Sequence, residues 1–111
     1  MIHEMRLHQP PFEKIKAGTK TIEMRLYDEK RRLIKVGDNI QFISRATDDK
    51  LLTEVVALHK FKSFADLYKH FDKVKLGYKQ NEIVDPNDMA KYYSPEEQDK
   101  YGVVGIEIKK L

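Results

Sequence analysis

The chain has 111 residues, 41% of them apolar and 35% charged, with a formal net charge of +3. That is enough for one domain, residues 1–111, and too little for two; the absence of cysteine excludes disulfides and thiolate zinc sites and suits a reducing compartment. No apolar run approaches the ~20 residues of a membrane span, and the start, Met1-Ile2-His3-Glu4, has no signal-peptide pattern, so the expectation is a cytoplasmic protein with no membrane partner.

His3–Leu7 reads as a short strand with Met5 and Leu7 inward. Pro10-Pro11 open a helix, because a first-turn N–H has no intrahelical partner to lose. Phe12 and Ile15 share its buried face, and Gly18 supplies a left-handed stop. The run Gly18-Thr19-Lys20-Thr21-Ile22-Glu23-Met24-Arg25 then passes from helix into a second strand. Ile22, Met24 and Leu26 share one face of that strand, a core face. Glu23, Arg25 and Tyr27 share the other. Asp28–Lys35 is a polar, basic connection carrying Lys30-Arg31-Arg32. Gly37-Asp38 turns the chain into the strand Asn39–Ser44, with Ile40 and Phe42 inward. Thr47-Asp48-Asp49 is a hairpin turn into Leu52–Phe61, a longer strand expected to be covered on both faces along part of its length.

Ser63 caps a helix whose Phe64, Leu67, Tyr68 and Phe71 stand at i, i+3, i+4 and i+7. That spacing is a core stripe of an amphipathic helix before it is an aromatic ligand platform. Val74–Val84 reads as irregular chain with a turn at Gly77, and Asp85-Pro86 opens a helical turn through Met89 and Tyr92. Ser94-Pro95-Glu96-Glu97 is a capping box, which commits Glu97 to a local role. The helix ends at Gly102, and Val104, Ile106 and Ile108 alternate in a closing strand. About six β segments and two to three short helices, with no helix inside the hairpin Asn39–Phe61, rule out a regular βαβ series. They predict an α+β, mainly β fold: a mixed or antiparallel barrel, closed or nearly so, which disposes of sheet edges.

Charge is segregated. Lys14–Lys35 holds eight Lys/Arg against three acids, and Glu82–Asp99 holds six acids against one lysine. A basic face for an anionic partner has this pattern, and so do two segments that neutralise each other across a fold.

The polar face of the second strand carries the candidate chemistry. At i and i+2 the bases of Glu23 and Arg25 stand roughly 7 Å apart and their tips can meet. Arg25 then offers a planar fork to a phosphate, a carboxylate or a base edge, with Glu23 holding it or taking a proton. A solvated strand pair worth ~0–1 kcal/mol is the plainer account. Lys20, if desolvated, has a lowered pKa and acts as a base or nucleophile; in water it is a phosphate contact. Thr21 brings a hydroxyl to the same side, and Tyr27 is either a stacking surface for a base or a half-buried rim residue. His3, His8, His59 and His70 lack metal-ligand spacing, although His3 and His8 can approach the cleft from the first strand. No metal site, cofactor site or glycine-rich phosphate loop is read.

The ordered set Gly-x-Lys-x-x-Glu-x-Arg at Gly18–Arg25, the turn Val36-Gly37-Asp38, the strand at Ile40 and Phe42 and the closing strand Val103–Ile108 together resemble the ASCH domain of the PUA-like β-barrel superfamily over nearly the whole chain. The resemblance implies a PUA-like barrel with a cleft lined by this motif. It implies nucleic-acid or nucleotide binding, with single-stranded RNA or a modified nucleoside as partner. Lys20, Arg25, Lys30, Arg31 and Arg32 would meet phosphates, Glu23 would accept from a base, and Tyr27 or Tyr93 would stack on it. It also implies an alternative, since some bacterial members are amidohydrolases that deacetylate N4-acetylcytidine with a lysine, a threonine and a glutamate, and others are similar to RNA-cleaving modules. In that reading Lys20 is the base, Arg25 stabilises an anion and Glu23 shuttles a proton. The amidohydrolase threonine falls on Glu23 here; Thr21 lies two residues early, and Glu96 and Glu97 are nearest to the expected glutamate. A third reading is a protein-interaction adaptor using the basic loop and Glu82–Asp99, a segment that is also the candidate lid.

Overall fold

Alternation of apolar and polar residues carries the chain into five strands: β1 (Ile2–Leu7), β2 (Ile22–Leu26), β3 (Asn39–Ser44), β4 (Lys50–Phe61) and β5 (Val103–Lys110). The computed structural model describes all residues, 1–111. The strands form one sheet in the order β1-β3-β4-β5-β2, with β1 parallel to β3 and every other pair antiparallel. The sheet curls into a half-barrel whose free edges are β1 and β2.

The α+β class expected from the sequence holds, as a five-stranded half-barrel with four short α-helices in place of a closed or nearly closed barrel of about six strands with two to three. The reason lies in β4. This 12-residue strand pairs with β3 through its first half and with β5 along most of its length, so one bent strand serves both halves of the curl. The bend is a bulge between Val55 and Ala57 that leaves Val56 without a partner on β5. The extra residue switches the inward positions. Thr53 and Val55 face the interior before it, Leu58 does so after it, and Phe61 turns to the helix side. The two-sided cover expected for this strand is therefore restricted, since Leu52 and Val56 are exposed.

Two apolar clusters lie on opposite faces of the β4-β5-β2 half. Inside the curl, Met5, Leu7, Phe42, Val55, Val104, Ile106 and Ile108 pack with Phe12 and Ile15 of helix α1 (Gln9–Ala17). Outside it, Ile22, Leu26 and Val103 pack against Phe64, Leu67 and Tyr68 of α2 (Phe64–His70), Leu76 of α3 (Lys73–Leu76) and Met89 of the 3-10 turn Pro86–Lys91. The aromatic stripe of α2 is thus core. Burial of each large side chain in these clusters is worth about 1.5–3 kcal/mol.

Short helices depend on their ends. Gly18 closes α1 at φ 87°, its N–H donating to the Ile15 carbonyl at 3.0 Å. Ser63 accepts from the Asp66 N–H, and Ser94 and Glu97 complete both bonds of the capping box of α4 (Pro95–Tyr101). Part of the segment expected to be irregular is the single turn α3, because Asp72 caps its start and Gly77, at φ 107°, ends it. No helix is long and apolar enough to cross a membrane.

The bulge makes a direct prediction. Deleting Val56 removes the extra residue and leaves Leu58 inward and Phe61 on the helix side. The chain is therefore expected to keep a cooperative thermal transition by circular dichroism, at a lower midpoint because β4 loses its bend. Inserting a second residue beside Val56 is expected to turn Leu58 outward and His59 and Phe61 inward and to abolish the transition. Val56→Thr, which keeps the residue count at an exposed site, is expected to change stability by no more than about 0.5 kcal/mol.

Candidate functional site

The second face of β2 looks into the curl. Glu23 is paired across the sheet with Ile106 and Arg25 with Val104, both interior positions of β5. Glu23 is therefore 5% exposed, and Lys20, turned back beneath the strand after the Gly18 stop, is 4% exposed. Neither belongs to a solvated surface pair.

Lys20 Nζ donates to the Ile22 carbonyl at 2.8 Å and the Leu76 carbonyl at 2.9 Å, and lies 3.3 Å from Glu23 Oε1. Its three protons are thereby matched by three acceptors. Glu23 Oε2 accepts from Arg25 Nε at 2.8 Å. Arg25 Nη2 in turn donates to the Arg6 carbonyl at 3.3 Å, linking the free edges of β2 and β1. Gly77 makes the arrangement possible: a Cβ there would sit 3.1 Å from Lys20 Cδ, and the backbone is in the left-handed region.

Burial lowers the Lys20 pKa, and the Glu23 carboxylate only partly opposes it. Burial acts on Glu23 to raise its pKa, but Lys20 and Arg25 outweigh that and hold it below its ordinary 4.5. For Arg25, Glu23 and then Tyr93 outweigh the effect of burial, so the guanidinium is more firmly charged than usual. The triad is a buried carboxylate clasped by two cations.

The triad forms one wall of a cavity of about 550 Å³, a volume that suits a small organic ligand. Its lining comes from the end of β1 (Arg6, Leu7, His8), from β2 (Lys20, Glu23, Met24, Arg25), from Arg45 just after β3, from Leu76, Gly77 and Tyr78, and from Met89, Lys91, Tyr92 and Tyr93. Five cations face one carboxylate, and three tyrosines stand among them. Tyr93 stacks on Phe64 at 5.7 Å between centroids. Tyr78 shares a 2.6 Å hydroxyl contact with Tyr68, and burial pushes both phenols up, so they stay protonated donors.

Of the residues expected at the site, Lys20, Glu23, Arg25 and Tyr93 come together in this cavity, and so does His8. Others do not. Thr21 is outside the lining; its backbone ties β2 to its neighbours, the N–H donating to the Lys75 carbonyl and the carbonyl accepting from Ile108. Tyr27 has Arg32 at 4.4 Å and Lys60 at 5.1 Å from its ring centroid, packs on the interior cluster and is outside the cavity lining. Arg32 bonds the Tyr27 and Tyr101 carbonyls. Lys30 and Arg31 line a neighbouring, smaller cavity. His3 bonds Asp38 at 2.9 Å instead of reaching the cleft. Glu96 and Glu97 are also outside the lining, Glu97 being held by its cap. Arg6, Arg45, Lys91, Tyr78 and Tyr92 line the cavity without having been singled out in the sequence. No ion pair joins Lys14–Lys35 to Glu82–Asp99, so the basic segment is not neutralised by the acidic one through direct contact. No three His, Asp or Glu side chains gather as a metal site would require.

Comparison with known proteins agrees with this architecture. The model of the ASCH domain family matches residues 5–111. The crystal structure of the hypothetical protein PH0355 is 36% identical, covers 100% of both chains and has a TM-score of 0.79. The solution structure of protein PF0455 from Pyrococcus furiosus is 37% identical, covers 100% of this chain and 98% of that one, and has a TM-score of 0.73. The crystal structure of ASCH from Zymomonas mobilis, at 13% identity, shares the fold over 97% of this chain and 66% of its own, with a TM-score of 0.70. No curated protein matches the chain.

Two predictions follow from the triad. Lys20→Ala strips Glu23 of one cation and leaves the Ile22 and Leu76 carbonyls without a donor, so urea unfolding is expected to show a loss of about 3–5 kcal/mol. Glu23 has a lower pKa folded than unfolded, so its contribution is present above the ordinary 4.5 and disappears as pH falls below that through the folded value. Glu23→Gln is expected to flatten that acid limb in a series of unfolding curves; an unchanged limb would show that Glu23 does not titrate with folding.

Proposed function

This chain belongs to the ASCH domain family, and on that premise we propose that it is a nucleic-acid- or nucleotide-binding domain whose cavity receives a base of single-stranded RNA or of a modified nucleoside. The observation that carries the reading is the Arg25 guanidinium, fixed through Nε by a buried carboxylate at the wall of a cavity rich in cations and tyrosines. A guanidinium held in one orientation loses little entropy when it meets a phosphate or a base edge. Tyr92, 63% exposed at the rim, and Tyr93 supply π-faces of the kind on which bases stack.

The roles differ from residue to residue. Arg25, Arg6, Arg45 and Lys91 offer the positive charge, and Tyr78 offers a neutral hydroxyl. Glu23 positions Arg25, with Oε1 beside Lys20 and Oε2 on Arg25. Lys20 clasps Glu23. Hydrolysis with Lys20 as base is the alternative, and the occupied donors of Lys20 together with the position of Thr21 outside the cavity favour binding over it.

Fluorescence anisotropy of a labelled single-stranded RNA at two salt concentrations tests the proposal. Affinity is expected to fall steeply with salt, and Arg25→Ala is expected to weaken it by about 10-fold or more. Arg25→Lys is not expected to restore it, because an ammonium cannot both hold Glu23 and present a planar fork. Absent binding, or binding indifferent to salt, would overturn the reading.

A further inference from the structure

A second cavity, of about 350 Å³, adjoins the first and shares Arg6, Arg25 and Arg45 with it. Lys30 and Arg31 complete its cationic lining, and Glu4 is its one acid. We infer that this second cavity is a phosphate subsite, which holds the phosphodiester of the nucleotide next to the one whose base enters the main cavity. The inference rests on the nucleic-acid reading above and narrows the ligand from a free nucleoside to a chain of at least two nucleotides.

The charges are the first argument. Five cations around so small a volume repel one another, and a partly enclosed site focuses their field instead of letting water screen it. The protein supplies little to offset this. Asp28 pairs with Arg31 at 2.8 Å, Arg6 reaches the exposed Asp48 only at 3.5 Å, Arg25 is held by Glu23, and no carboxylate pairs with Lys30 or Arg45. A bound phosphate removes the imbalance by accepting from several of these groups together.

The second argument is a missing hydrogen bond. Asp28 occupies Nη1 of Arg31, while Arg31 Nε, buried from solvent, has no acceptor; it is the one buried side-chain polar atom of the protein left so. A buried donor without a partner is costly, and an anion in the cavity that Arg31 lines would relieve that cost once the side chain turns Nε toward it. The third argument is placement. The shared arginines set the two cavities side by side at the seam between β1 and β2, with Lys30 and Arg31 lining the second. A nucleic-acid strand needs such a sequence of sites: a pocket for a base, then positive charge for the backbone.

The test separates the subsite from the cleft. Arginine Nε–H signals of the isotope-labelled protein are followed by NMR during titration with inorganic phosphate. In parallel, a nucleoside and a short single-stranded RNA are titrated into wild type and Lys30→Glu, an exposed position. Phosphate is expected to shift the Arg31 Nε–H signal. Lys30→Glu is expected to weaken the RNA by about 10-fold and to reduce the salt slope by about one, leaving nucleoside affinity unchanged. An unmoved Arg31 signal together with equal RNA affinity in both proteins would overturn the subsite while leaving the cleft reading intact. A shifted Arg31 signal in a protein that binds neither nucleoside nor RNA would uphold the anion site and overturn the nucleic-acid reading. An "adventitious ion only" result, in which phosphate shifts Arg31 while Lys30→Glu leaves RNA affinity and salt slope unaltered, also counts against the subsite.

Discussion

A carboxylate sits inside a curled sheet, and two cations keep it there. Alone, Glu23 in that position would take up a proton or be expelled, because burying an unpaired charge is prohibitive. Lys20 and Arg25 make it tolerable, and each is tied elsewhere: Lys20 to the last turn of α3 through Leu76, Arg25 to the edge of β1 through Arg6. One acidic group thus fixes a helix end, a strand and the opposite edge of the sheet relative to one another. Buried ion pairs add little net stability compared with apolar residues of the same volume. What this one contributes is position, and the wall of the main cavity is built from it.

Much of the fold is legible in the order of residues. Local rules are satisfied locally: proline in the first turn of α1, Gly18 after its last, Ser63 and Ser94 as caps, and alternation in β3 and β5. Two features escaped because they depend on pairing partners. The bulge at Val56 changes which residues of β4 face inward, and nothing within β4 marks the position. The turn α3 is shorter than any periodicity can reveal, although Asp72 and Gly77 bracket it with a cap and a stop.

The site was legible where it is contiguous and obscure where it is not. Lys20, Glu23 and Arg25 lie within one short run, so strand geometry places them together. Arg6, Arg45, Tyr78, Lys91 and Tyr92 come from separate parts of the chain and meet only through the parallel pairing of β1 with β3 and the return of residues 78–93 over the seam. Tyr27 was misplaced for a different reason. It continues the inward face of β2 as alternation requires, but Arg32 and Lys60 close on its ring from the sequence's basic stretch and from β4. Alternation specifies a direction and does not specify which neighbour arrives first.

The sheet does not close by backbone bonds, and its two free edges, β1 and β2, are bordered by Arg6, Arg25 and Arg45. Unpaired strand edges invite a second copy to add on and continue the sheet, and lysines or arginines along an edge are a common deterrent. Here the side chains that guard the edges are the ones that line the main cavity. Loss of these arginines would therefore carry a hidden liability: mutual repulsion between molecules would fade, and strand-to-strand clumping would become the competing fate.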